Sequence, residues 1–203
     1  MTIELWLSLV VICMLGALSP GPSLAVVVKN TIDGGKQAGL TTAISHGIAI
    51  GLYALIVVTG IGLVIVQSPV LFEFIRYSGA AFLIYLAYNA LKSSGSNIDL
   101  TKTKVDQVKV VNGWRDGFMI AFLNPKIALF FIALFSQFVD ANASIQENVI
   151  MVCTVGIIDT IWYCLVAMGL SRGPVLNKLK SKSAAIDKIT GVVLILLAVR
   201  VVM

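Results

Sequence analysis

The sequence predicts an all-α integral membrane protein: six transmembrane helices arranged as two inverted three-helix repeats, with helices 1 and 4 each broken by proline. Three observations carry that expectation. Hydrophobic residues make up 58% of the 203-residue chain and charged residues only 12%, against about 45–50% and 25% in soluble domains. The apolar residues gather into runs that match the roughly 20 residues a helix needs to cross a bilayer. Two of these runs are interrupted at corresponding places, the first by Ser19-Pro20-Gly21-Pro22 and the fourth by Asn124-Pro125-Lys126.

The spans follow in order. The first runs from Leu5 to Val28 through its proline break. It has no basic leader, since Glu4 is the only charge before it, and its apolar run exceeds a signal-peptide core, so it reads as a membrane helix. The second covers Leu40–Val66 and the third Val70–Leu91. The fourth covers Gly117–Val139, the fifth Val149–Leu170 and the sixth Ala184–Val202. The period-2 alternation of a membrane β-barrel is absent. Cys13, Cys153 and Cys164 all lie within apolar spans, and their odd number and spacing fit buried thiols better than a disulfide or metal site.

The net charge of +5 is a topology signal and excludes no membrane role, whereas its distribution argues against nucleic-acid binding. The loops after spans one, three and five, with their flanks, hold 12 of the 15 basic residues. Basic loops stay cytoplasmic, so both termini are expected in the periplasm. The polar stretch Ser93–Asn112 is then a cytoplasmic linker between a first repeat, residues 1–92, and a second, residues 113–203. Overlaying Pro20 on Pro125 also matches Met14 with Met119, Leu18 with Leu123 and Leu24 with Leu129. Three spans are an odd number, so the second copy must enter the membrane the other way up, as in many secondary transporters.

Depth singles out four polar positions. Ser19 is ten residues from Lys29, His46 ten from Lys36 and Asn124 nine from Arg115. At 1.5 Å per residue each is roughly 14–15 Å from the inner flank, near the middle of the bilayer core. Asp159, between Glu147 and Arg172, is equally central. An acid at that depth costs roughly 2.5–3.5 kcal/mol on insertion scales and such residues usually face a cavity or an ion path. Asp159 is therefore a candidate for proton coupling, or for binding a substrate ammonium group. His46, the only histidine, is either a proton relay or a packing residue beside Gly47 and Gly51. Lys126 either snorkels to the cytoplasm or neutralises Asp159. The remaining glycines of the second span read as helix packing.

The breaks have a chemical use. Proline is preorganised for the first turn of a helix, so Pro22 and Pro125 are expected to start second half-helices. Their free N–H groups and positive dipole ends would hold a carboxylate at mid-membrane. The candidate substrate site is accordingly Ser19, Pro20, Gly21 and Pro22 with Asn124, Pro125 and Lys126.

At these residues the chain resembles the LysE/RhtB amino-acid exporter family over nearly its full length. The resemblance rests on Pro20-Gly21-Pro22 and on Gly35-Lys36-Gln37-Ala38-Gly39-Leu40. It extends to Gly117-Phe118 through Asn124-Pro125-Lys126 with Phe130-Phe131 and Gln137-Phe138, and to Asp159 with Trp162. His46, where the pattern has a small residue, and the terminal Ala198-Val199-Arg200 depart from it. The resemblance implies proton-driven efflux of amino acids across a bacterial inner membrane; the single central acid, Asp159, points to a neutral substrate of the threonine or homoserine type, and no cofactor is expected. The partners it implies are the amino acid and the lipid bilayer, with monomer and homo-oligomer both open. Rival readings are efflux of another small solute or a metal cation, and a membrane-embedded hydrolase. One histidine and scattered cysteines make a poor metal-ligand set, and no nucleophile-elbow or zinc-protease motif is present.

Overall fold

The computed structural model describes residues 1–19, 21–93, 112–140, 143–170 and 174–202. Among the described residues the secondary structure is entirely helical: α1 Ile3–Leu18, α2 Pro22–Gln67, α3 Pro69–Lys92, α4 Gly113–Phe122, α5 Pro125–Phe135, α6 Ile145–Leu170 and α7 Pro174–Val202. Pro20 and residues 94–111 of the expected linker lie outside the described residues.

Local chemistry sets the helix starts. Pro22, Pro69 and Pro125 occupy the first turn of α2, α3 and α5, where a missing amide leaves nothing unpaired. Ser68 accepts from the Leu71 amide at 3.4 Å, and Asn124 from the Lys126 amide at 3.0 Å. The two breaks differ in register from the overlay of Pro20 on Pro125. The helix resumes with Pro22 in one and Pro125 in the other.

Although α2 is continuous by hydrogen bonding, it is a hairpin. Gly35 has φ 78° and ψ 177°, a left-handed value that glycine alone adopts without strain. Twelve residues of straight helix would span about 18 Å, yet Asn30 donates to Thr42 at 3.0 Å across the turn. Residues 22–34 therefore form the second half of the first expected span, and residues 36–67 the second span.

The chain is a multi-pass membrane protein. By length and composition α2, α3 and α6 can each cross a bilayer, and α4 with α5, bent by 55° at their break, form a fourth such element. At 16 residues, α1 is shorter. The outer surface is apolar: Leu63, Phe74, Ile56, Ile157, Leu165 and Leu196 are all exposed, a face suited to lipid tails. Cys13 is buried and Cys164 half-buried, whereas Cys153 faces outward on α6.

Packing is close where glycines meet backbone. A methyl group on Gly47 would strike Thr160 and come within 3.1 Å of the Gly156 carbonyl on α6. One on Gly117 of α4 would strike the Thr42 carbonyl of α2. The pairings include α2 with α6, α2 with α4, α3 with α7, α3 with α5, α1 with α6, α2 with α5, α1 with α7, α2 with α3 and α6 with α7. The core between them is built from Leu9, Leu83, Leu134, Phe135 and Met151.

Candidate functional site

Hydrogen bonding leaves little for the hydroxyls of the spans to seek elsewhere. Thr31, Thr42, Thr160 and Thr190 each donate to the carbonyl four residues earlier at 2.7–2.9 Å. Polar side chains of several helices meet at one cavity of about 610 Å³, within the range of small-molecule sites.

The two helix breaks form one wall. Ser19 is the C-cap of α1, and Gly21 is the N-cap of α2. Because Gly21 has no side chain, α2 begins without a side-chain cap, and the amides of its first turn stay available to an acceptor. Ser19, Gly21, Pro22 and Ser23 line the cavity. From the second break Asn124, Pro125 and Lys126 line it as well. Here the Asn124 side chain already accepts from the Lys126 amide, so α5 offers less free donor capacity than α2.

His46 of α2 and Asp159 of α6 line the same cavity. Their side chains meet, Nδ1 to Oδ2, at 2.6 Å. His46 is 1% exposed and Asp159 8%. The ring edge of Tyr163, one turn beyond Asp159, packs against the imidazole with centroids 4.8 Å apart. Tyr163 in turn lies within hydrogen-bonding reach of Ser23. Nε2 of His46 is buried without a partner among the described residues. The pairing settles one alternative in the sequence: Asp159 is joined to His46, and Lys126 has no carboxylate within 4.0 Å among the described residues.

Every described residue of the expected site thus lines the same cavity, and the structure adds others. Asp187 and Thr190 reach it from α7, and Asn89 with Ser93 from α3. Asp187 is 5% exposed. Beside Lys188 and close to Lys182 it reads as part of a basic, solvated flank, which hides it. The detectable signal is spacing, because Asp187, Thr190 and Leu194 recur at helical intervals and all face the cavity. The rest of the wall is apolar, including Ile50, Phe82, Leu86, Phe131 and Val155.

The LysE type translocator family pattern matches residues 14–203. The uncharacterized membrane protein YrhP of Bacillus subtilis is 26% identical over 93% of this chain and 94% of its own length. The leucine efflux protein of Salmonella typhimurium is 30% identical over 62% of this chain, an alignment that spans 59% of that protein. The leucine efflux protein of Salmonella typhi matches to the same extent. No solved structure matches the chain.

Proposed function

The chain belongs to the LysE type translocator family, and on that premise we propose that it is a secondary transporter that exports neutral amino acids across a bacterial inner membrane by proton antiport. The observation that carries this reading is the cavity itself. Ser19, Gly21, Pro22, His46, Asn124, Lys126 and Asp159 come from four separate stretches of sequence and surround one space of about 610 Å³.

The uncapped first turn of α2 and the Lys126 ammonium receive the substrate carboxylate, which suits the positive end of a helix dipole. The His46–Asp159 pair holds the exchangeable proton, shielded from lipid and bulk water. The apolar wall of Ile50, Phe82, Leu86, Phe131 and Val155 supports a leucine-type side chain over threonine or homoserine, in keeping with the leucine efflux relatives.

The packing supports two inverted repeats of three spans, here α1–α2 (to residue 34), α2 (from 36) and α3, then α4–α5, α6 and α7. Exchanging the halves leaves α2·α6 and α3·α7 unchanged. It carries α1·α6 onto α4·α2 and α2·α3 onto α6·α7, and all of these pairs are in contact. Alternating access then follows by rocking one repeat against the other about the cavity. In this arrangement both termini are periplasmic.

The test is efflux of labelled leucine from loaded proteoliposomes under an imposed pH gradient. The reading requires gradient-driven efflux by the wild-type protein and its loss in Asp159→Asn. Equal export by the variant would remove the pair from energy coupling.

A further inference from the structure

Asp187 presents a buried carboxylate whose hydrogen-bonding capacity is only partly used. Oδ2 accepts from the Ser93 hydroxyl at 2.7 Å. Oδ1 has Ser19 Oγ at 3.4 Å, beyond the 2.5–3.0 Å of a good hydroxyl–carboxylate bond. A carboxylate offers about four acceptor sites, so this one has room for further donors. Its neighbouring lysines are occupied elsewhere. Lys188 is adjacent in the helix and points away from it, and Lys92 lies over the Tyr88 ring at 5.6 Å. Among the described residues no cation lies within 4.0 Å of Asp187. Isolated buried carboxylates are costly, and in proteins they are paired.

The geometry points to Asp187, with Ser19 and Ser93, as the subsite for the substrate's ammonium group. This assignment rests on the transport reading above and deepens it. Asp159 differs in already having a partner for its charge, His46 at 2.6 Å. Position favours Asp187 as well. Ser19, which touches it, lies three residues before Pro22, so the carboxylate stands beside the free amides that open α2. An α-amino acid carries its ammonium and carboxylate groups on one carbon, and this wall offers a receptor for each within a few residues. Lys126 and Asp187 are the cation and the anion lining the cavity without an ion-pair partner among the described residues. Their charges balance, which matches a zwitterion with an uncharged side chain. Such a ligand is bound as a pair of charges, and an analogue lacking the amine leaves Asp187 unpaired.

Calorimetric binding to purified protein in nanodiscs tests this with two ligands, leucine and 4-methylpentanoate, which differ by the amine. Wild-type protein is expected to bind leucine about tenfold to a hundredfold more tightly than 4-methylpentanoate, the range of one charged hydrogen-bonded contact. Asp187→Asn, checked for monodispersity and thermal unfolding, should lose that discrimination and most of the leucine affinity, while binding 4-methylpentanoate at least as tightly as the wild type does. Equal binding of the two ligands by the wild-type protein overturns the subsite without any variant, and so does unchanged discrimination in Asp187→Asn. If the wild type binds no amino acid from a full panel, the transport reading fails and the subsite falls with it.

Discussion

His46 and Asp159 meet at 2.6 Å beside a close crossing of their helices, where Gly47 of α2 meets Gly156 of α6. The crossing fixes the pair. With no side chain between the two backbones, imidazole and carboxylate are held at bonding distance, and Tyr163 closes the remaining edge. Both side chains line the cavity and are otherwise buried. Breaking a buried pair leaves one partner uncompensated, whereas replacing both with apolar residues is often tolerated.

That asymmetry separates structure from coupling. His46→Leu and Asp159→Leu should each lower stability by roughly 3–5 kcal/mol, the range for an orphaned buried partner. The double variant should recover much of the loss in thermal unfolding while gradient-driven leucine efflux stays abolished. A double variant that still transports with the gradient would make the pair structural.

The crossing itself can be probed through its glycines. Gly47→Val should destabilise the protein by about 1–3 kcal/mol or more through overpacking, because a side chain there meets Thr160 and the Gly156 carbonyl. Gly51→Ala, four residues on, meets nothing within 4 Å and should leave the unfolding temperature unchanged or higher. Similar behaviour of the two variants would place the crossing elsewhere.

Much of this was legible in the sequence because a bilayer constrains composition and length so strongly. The apolar runs anticipated the helices, and the prolines marked the breaks. α7 begins ten residues before its apolar run, since polar residues extend a helix without adding hydrophobicity. The turn between the first two spans was legible as the polar interval from Lys29 to Gly39, and the chain reverses within it at Gly35. The pairing of His46 with Asp159, 113 residues apart, is a tertiary fact that depth could narrow but not specify. Asp187 was hidden by its lysine neighbours, whose charge is conspicuous in one dimension and irrelevant to the face that Asp187 presents.

The breaks should matter for transport more than for assembly. The 55° bend between α4 and α5 depends on an interrupted hydrogen-bond ladder at Pro125. Pro125→Ala allows a straighter helix that withdraws Asn124 and Lys126 from the cavity. Leucine efflux should fall well below wild type while membrane insertion, followed by fractionation, stays normal. Pro22→Ala should do the same at the first break. Normal efflux by either variant would show that its break is dispensable.

The last expectation concerns which side the cavity serves. Asn89 and Ser93 lie at the end of α3 that leads into the basic linker, and both line the cavity together with Asp187. If the basic loops are cytoplasmic, the polar end of the cavity opens inward, where an exporter collects its substrate. In a background with Cys13, Cys153 and Cys164 replaced, Asn89→Cys should react with a membrane-impermeant maleimide in inside-out vesicles and stay unreactive in intact cells. Saturating leucine should slow the reaction, because the substrate fills the same space. Labelling of intact cells alone would reverse the orientation, and with it the direction in which the helix breaks, the proton pair and Asp187 are met by the substrate.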